Sequence, residues 1–103
     1  MSDEKILELA AKAAGHRTFG FDVHGNALID PVVYTPWNPL ASNDDAFQLA
    51  QEMDMSIHYG PEVILVSEHA GACSYTVKLD GGNIVALTRE AITRLAASIG
   101  EFM

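Results

Sequence analysis

The chain has 103 residues, 49% hydrophobic and 19% charged, the size and composition of one folded domain spanning 1–103 rather than of a disordered tail or a multi-domain enzyme. With 6 Lys+Arg against 14 Asp+Glu the formal net charge is −8, and a field of that sign repels phosphate backbones and anionic lipid, which argues against nucleic-acid and membrane partners. A single cysteine, Cys73, excludes an intramolecular disulfide and a multi-cysteine zinc site, and it suits a reducing cytoplasm.

The start Met1-Ser2-Asp3-Glu4 is acidic where a signal peptide is basic, and no apolar run approaches the roughly 20 residues that span a bilayer. A cytoplasmic location is the expectation. Lys5, Lys12, Arg17, Lys78, Arg89 and Arg94 read as scattered, without a cluster to neutralise several phosphates together. The acidic surface suits docking on a basic protein, imitation of nucleic acid included, and it also serves plain solubility.

In chain order, Asp3 to Ala14 reads as a helix. Ile6, Leu9, Ala10 and Ala13 recur on one face, Ser2 offers a cap and Gly15 a left-handed stop. Phe19, Phe21 and Val23 then alternate as strand residues do, and with the turn His24-Gly25-Asn26 and the return Ala27-Leu28-Ile29 they outline a small hairpin. Prolines 31, 36 and 39 each remove a backbone donor, so Pro31 to Pro39 is expected as an ordered loop or sheet edge.

Ser42-Asn43-Asp44-Asp45 sets a capping hydroxyl ahead of an acidic residue three positions on, and the stripe Ala46, Leu49, Ala50 and Met53 continues it as a second helix. Met55 to His58 reads as a strand, and Val63-Ile64-Leu65-Val66, which has no polar face, as a central strand covered on both sides. After the small-residue turn His69 to Ala72, Cys73, Tyr75, Val77 and Leu79 point inward while Ser74, Thr76 and Lys78 point away. The last helix is expected from about Thr88, with Ile92, Leu95, Ala96, Ile99 and Phe102 on its apolar face.

The fold class is therefore α/β of the α+β kind, a small antiparallel sheet of three or more strands sandwiched or covered by helices. Its order is helix, irregular β segment, helix, three strands, helix. Helix, three strands, helix is also the topology of double-stranded-RNA-binding domains, a function that the charge opposes.

Trp37-Asn38-Pro39-Leu40, then Asp44-Asp45-Ala46 with Leu49-Ala50, and the run from Thr88 to Gly100 resemble the phage ABA sandwich domain family. Leu7 to Gly15 is similar to that family's N-terminal helix. Ser42-Asn43 departs from the family's threonine and acidic residue at the helix start, and Phe19 to Tyr34 has no counterpart. The resemblance implies a sheet sandwiched between helices in a small phage or prophage protein of unassigned activity, so it transfers no catalytic residue.

Residue chemistry adds few candidates. His58, His69 and Cys73 are the metal-ligating types nearest one another in the chain, but they lack a second close pair, so no metal and no cofactor is expected. Cys73 with a histidine and Glu68 or Asp80 would be needed for a thiol nucleophile, and the inward strand position of Cys73 favours packing. Nucleotide-binding, hydrolase and protease fingerprints are absent, so no enzyme is expected. Trp37 and Asn38 have two readings, a loop anchored into the core, which is favoured, or an aromatic offered to a partner; Asp44 and Asp45 either complement a helix dipole, preferred because Ser42 and the stripe behind it call for a helix start, or meet arginines of a partner.

The leading expectation is an accessory phage protein acting by protein–protein contact in the host cytoplasm, with antagonism of a host system as one form of that contact. A second reading is a module binding a nucleotide or metabolite, and a third a minor virion or assembly component. Phe47, Tyr59, Ile84, Val85 and Leu87 fall outside the assigned stripes and need cover. Either a homodimer supplies it, or the Phe19 to Pro39 segment folds over them.

Overall fold

The computed structural model describes residues 2–29, 35–68 and 73–103. Within them the order is α1 (Asp3–Ala13), β1 (Ala27–Leu28), β2 (Pro36–Trp37), α2 (Asn43–Glu52), β3 (Ser56–Tyr59), β4 (Val63–Ser67), β5 (Ser74–Lys78) and α3 (Ile84–Glu101). This is the α+β class expected.

Helix α1 starts where Ser2 accepts a hydrogen bond from the Lys5 amide at 3.2 Å and ends before Gly15, whose φ is +84°. It packs along α3 and touches β1. Burial therefore extends beyond the expected stripe to Leu7 and Ala11, while Ala13 stays half-buried. Small residues on both helices, among them Ala10, Ala96, Ala97 and Gly100, allow the close approach.

Helix α2 begins as the capping pattern predicts, with the Ser42 hydroxyl accepting from the Asp45 amide at 3.3 Å and Ala46, Leu49 and Ala50 buried. Helix α3 begins one turn earlier than Thr88. The Asn83 side chain accepts from the Ala86 amide at 3.0 Å, so Ile84-Val85-Ala86-Leu87 is its first turn. Because Ile84 and Val85 are exposed, that turn lies outside the buried period by which the helix is recognised in sequence. Phe102 does not join the apolar face: it follows the helix end and is 87% exposed.

Strands β3, β4 and β5 form an antiparallel sheet in that order, with Ile57, Val66 and Tyr75 in one row and His58, Leu65 and Thr76 in the next. Helix α3 packs on β4 and β5, and Ile64 and Val66 are buried beneath it. Cys73, Tyr75, Val77 and Leu79 pack toward the core, as their alternation predicts. Strand β4 is central but is not covered on both sides. Val63 and Leu65 are only half-buried, because among the described residues the helices lie on one face of the sheet and the other carries His58, Thr76 and Lys78.

The hairpin forms as well. The Phe19 amide donates to Leu28 O at 2.7 Å, the Leu28 amide to Gly20 O at 3.0 Å, and Phe21 bridges Ala27. Val23 is 95% exposed, since it sits in the turn and not in an inward strand position. Strand β1 also pairs with β2, Ala27 opposite Trp37, which makes 36–37 the expected sheet edge. Residues 31–34 of the proline segment and the turn His69 to Ala72 lie outside the described residues.

Candidate functional site

Trp37 is 4% exposed, so its indole is a core anchor. Its edge meets the His16 ring at 5.9 Å between centroids, and the His16 Nε2 in turn lies 3.2 Å from a Glu52 carboxylate oxygen. Asn38 fixes the loop behind it. Its amide donates to Asp45 Oδ2 at 2.9 Å, its Nδ2 to Asn26 Oδ1 at 3.0 Å, and its Oδ1 accepts the Leu40 amide at 3.1 Å. Asp22 extends the chain of bonds by accepting the Asn26 Nδ2 at 3.0 Å and the His24 and Asn26 amides at 2.9 Å.

Asp22, Asn26, Asn38 and Asp45 thus tie hairpin, loop and α2 together. The Asn26 amide, foremost, holds the Asp22 carboxyl below the usual carboxylate range; partial desolvation opposes it, and the Asn26 side chain and His24 assist. Asp45 is occupied in this network, whereas Asp44 is exposed on the first turn of α2.

The exposed aromatic and aliphatic side chains lie elsewhere. Phe47, Tyr59, Ile84 and Val85 are 54%, 58%, 52% and 48% exposed and surround one recess of about 60 Å³ between α2, β3 and α3. Tyr59 is held in place: the Thr88 hydroxyl donates to Ile84 O at 2.7 Å, so the Tyr59 hydroxyl, 3.2 Å away, donates to Thr88 Oγ1. Arg89 closes the rim, its Nε bonded to Leu40 O at 3.1 Å and its Nη1 to Asn43 Oδ1 at 2.6 Å. Leu87, grouped with these residues in the sequence, is partly buried against the core. The described part of 19–39 pairs within itself and leaves the four exposed.

The basic residues are not all scattered. Lys5, Lys12 and Arg17 line one open groove of about 500 Å³ between α1 and residues 16–21, together with His16 and, as the one carboxylate among the described residues, Glu8. The signal was present in the spacing: Lys5 and Lys12 are seven residues, about two helical turns, apart and so share a face of α1.

Among the described residues the metal and nucleophile candidates form no cluster of three. His58 is exposed, Cys73 is half-buried with its carbonyl accepting the Glu68 amide at 3.1 Å, Asp80 is exposed, and His69 lies outside the described residues. Among the described residues no group of three or more His, Cys, Asp or Glu side chains is placed to hold a metal ion, and no helix is long and apolar enough to cross a membrane. Comparison with protein-family models, curated proteins and solved structures found no match.

Proposed function

We propose that this chain is a phage accessory protein that works in the host cytoplasm by protein–protein contact, and that its contact face is the apolar surface of Phe47, Tyr59, Ile84 and Val85. One observation carries the reading. Four large apolar side chains, each about half exposed, gather around a single recess instead of lying singly, as surface hydrophobic residues usually do. The resemblance of Trp37 to Leu40 and of Thr88 to Gly100 to the phage ABA sandwich family supports the phage setting.

The occupant of this face is a second copy of the chain. A charge of −8 on each copy opposes self-association through most of the surface, yet among the described residues no carboxylate lines this recess. Arg89 lies on its rim, and Asp44 stands one helical turn before Phe47. A two-fold axis brings a patch onto its own copy, so a positive and a negative group beside it, here Arg89 and Asp44, can pair across the axis. The four half-exposed side chains offer roughly 300–400 Å² per copy, about half of what a standard interface buries per partner, so the dimer is weak.

Light scattering from about 1 μM to 1 mM tests this. The mass is expected to rise with concentration from 11.1 kDa toward twice that value, and Phe47→Glu or Val85→Glu to hold it at 11.1 kDa with an unchanged melting temperature. A mass of 11.1 kDa throughout would refute self-pairing, and doubling that survives Phe47→Glu would refute the face.

A further inference from the structure

We propose that the groove between α1 and residues 16–21 is an anion site that takes a small molecule bearing a chain of phosphates. In a chain with only 6 Lys+Arg, three of them line this one groove against one carboxylate among the described residues, so the described lining is cationic on a molecule of net charge −8. A concave site with one sign of charge concentrates the opposite ion.

Helix electrostatics alone does not place the cations there. Lys12, His16 and Arg17 are at or beyond the last turn of α1, where positive charge suits the dipole, but Lys5 sits in the first turn, where the dipole disfavours it. Glu8 approaches Lys5 at 3.5 Å, with both side chains about half exposed. The Lys12 ammonium uses one of its three N–H groups on Met103 O at 3.2 Å. Arg17 lies with its guanidinium carbon 5.6 Å from the Phe19 ring centre, which holds this exposed cation at the groove.

The spacing sets the class of ligand. Lys5 and Lys12 stand about 10 Å apart along the helix axis, and Arg17 lines the same groove, so an extended polyanion reaches more of the cations than a single phosphate does. The groove volume of about 500 Å³ is of small-molecule size, and Leu9 and Phe21 give it an apolar wall. None of its lining residues belongs to the Phe47–Val85 face, so this site stands or falls independently of dimerisation.

Inorganic tripolyphosphate, titrated into ¹⁵N-labelled protein at about 20 mM salt, is the probe. The amides of Lys12, His16, Arg17 and Gly20 are expected to shift saturably, with Kd below about 1 mM, and Lys12→Gln and Arg17→Gln each to weaken binding about tenfold. Lys78→Gln, on the far face of the sheet, is expected to change nothing. Tighter binding of ATP with an added shift at Phe21 assigns the ligand to nucleotides, and equal binding assigns it to free polyphosphate. Shifts that fail to saturate by about 10 mM, or a Lys78→Gln loss equal to that of Arg17→Gln, would overturn the proposal.

Discussion

Gly100 of α3 rests so closely on the backbone carbonyl of Leu9 in α1 that a methyl group on Gly100 would overlap the Leu9 oxygen. The obstacle is main chain, which no rotamer change can move aside. Gly100→Ala therefore separates two opposing effects. Helix propensity favours alanine by about 1 kcal/mol, while forced separation of packed helices typically costs about 1–3 kcal/mol. Packing is expected to win, with a net loss of up to about 2 kcal/mol in urea denaturation. A stabilised Gly100→Ala would show that the two helices are not in close contact there.

Leu95 and Phe102 both belong to the apolar spacing of the last helix, and the structure assigns them opposite energetics. Leu95 is 1% exposed and Phe102 87%. Leu95→Ala is expected to cost about 2–5 kcal/mol as a buried truncation, and Phe102→Ala less than about 0.5 kcal/mol as a surface change. Equal losses at the two positions would contradict the described end of α3.

Asp22 gives the stability a dependence on acid. Its folded-state pKa is lowered, foremost by the Asn26 amide, so its contribution is complete above the unfolded value of about 4 and is lost as pH falls through the lower folded value. Asp22→Asn removes that titration. Denaturant melts between about pH 2 and 7 should then show a shallower acid limb in the variant than in the parent, with parallel curves above about pH 5. Acid limbs of equal slope would mean that Asp22 has the same pKa folded and unfolded.

Much of the architecture is legible in the residues themselves. The caps at Ser2 and Ser42 declare two helix starts, and the alternation from Cys73 to Leu79 declares an inward face. What escaped was whatever depends on the third dimension. Asn83 caps α3 ahead of an exposed apolar turn, and an exposed apolar turn has no buried period to extend. The run from Val63 to Val66 looks doubly covered because isolated residues cannot report that His58 and Thr76 flank Leu65 on an uncovered face.

The sequence favours Trp37 as a core anchor over a partner contact, and the structure agrees. The pairing with Ala27 and the bonds of Asn38 to Asn26 and Asp45, residues 12 and 7 positions away, settle it as an anchor. Conversely, Phe47, Tyr59, Ile84 and Val85 were visible as a surplus, yet their grouping follows only from the way α2, β3 and α3 meet.

The contact of α1 with α3 joins residues as far apart as Lys12 and Met103, 91 positions along the chain. Until α3 has been synthesised, Ile6, Leu7 and Ala10 have no helix to close against, and closing so long a loop is entropically costly before any contact rewards it. On loop-closure entropy, the local hairpins and the three-stranded sheet are expected to form ahead of the two-helix layer. A nascent chain of this kind carries an unprotected greasy helix through most of its synthesis, which is when chaperone binding would matter most.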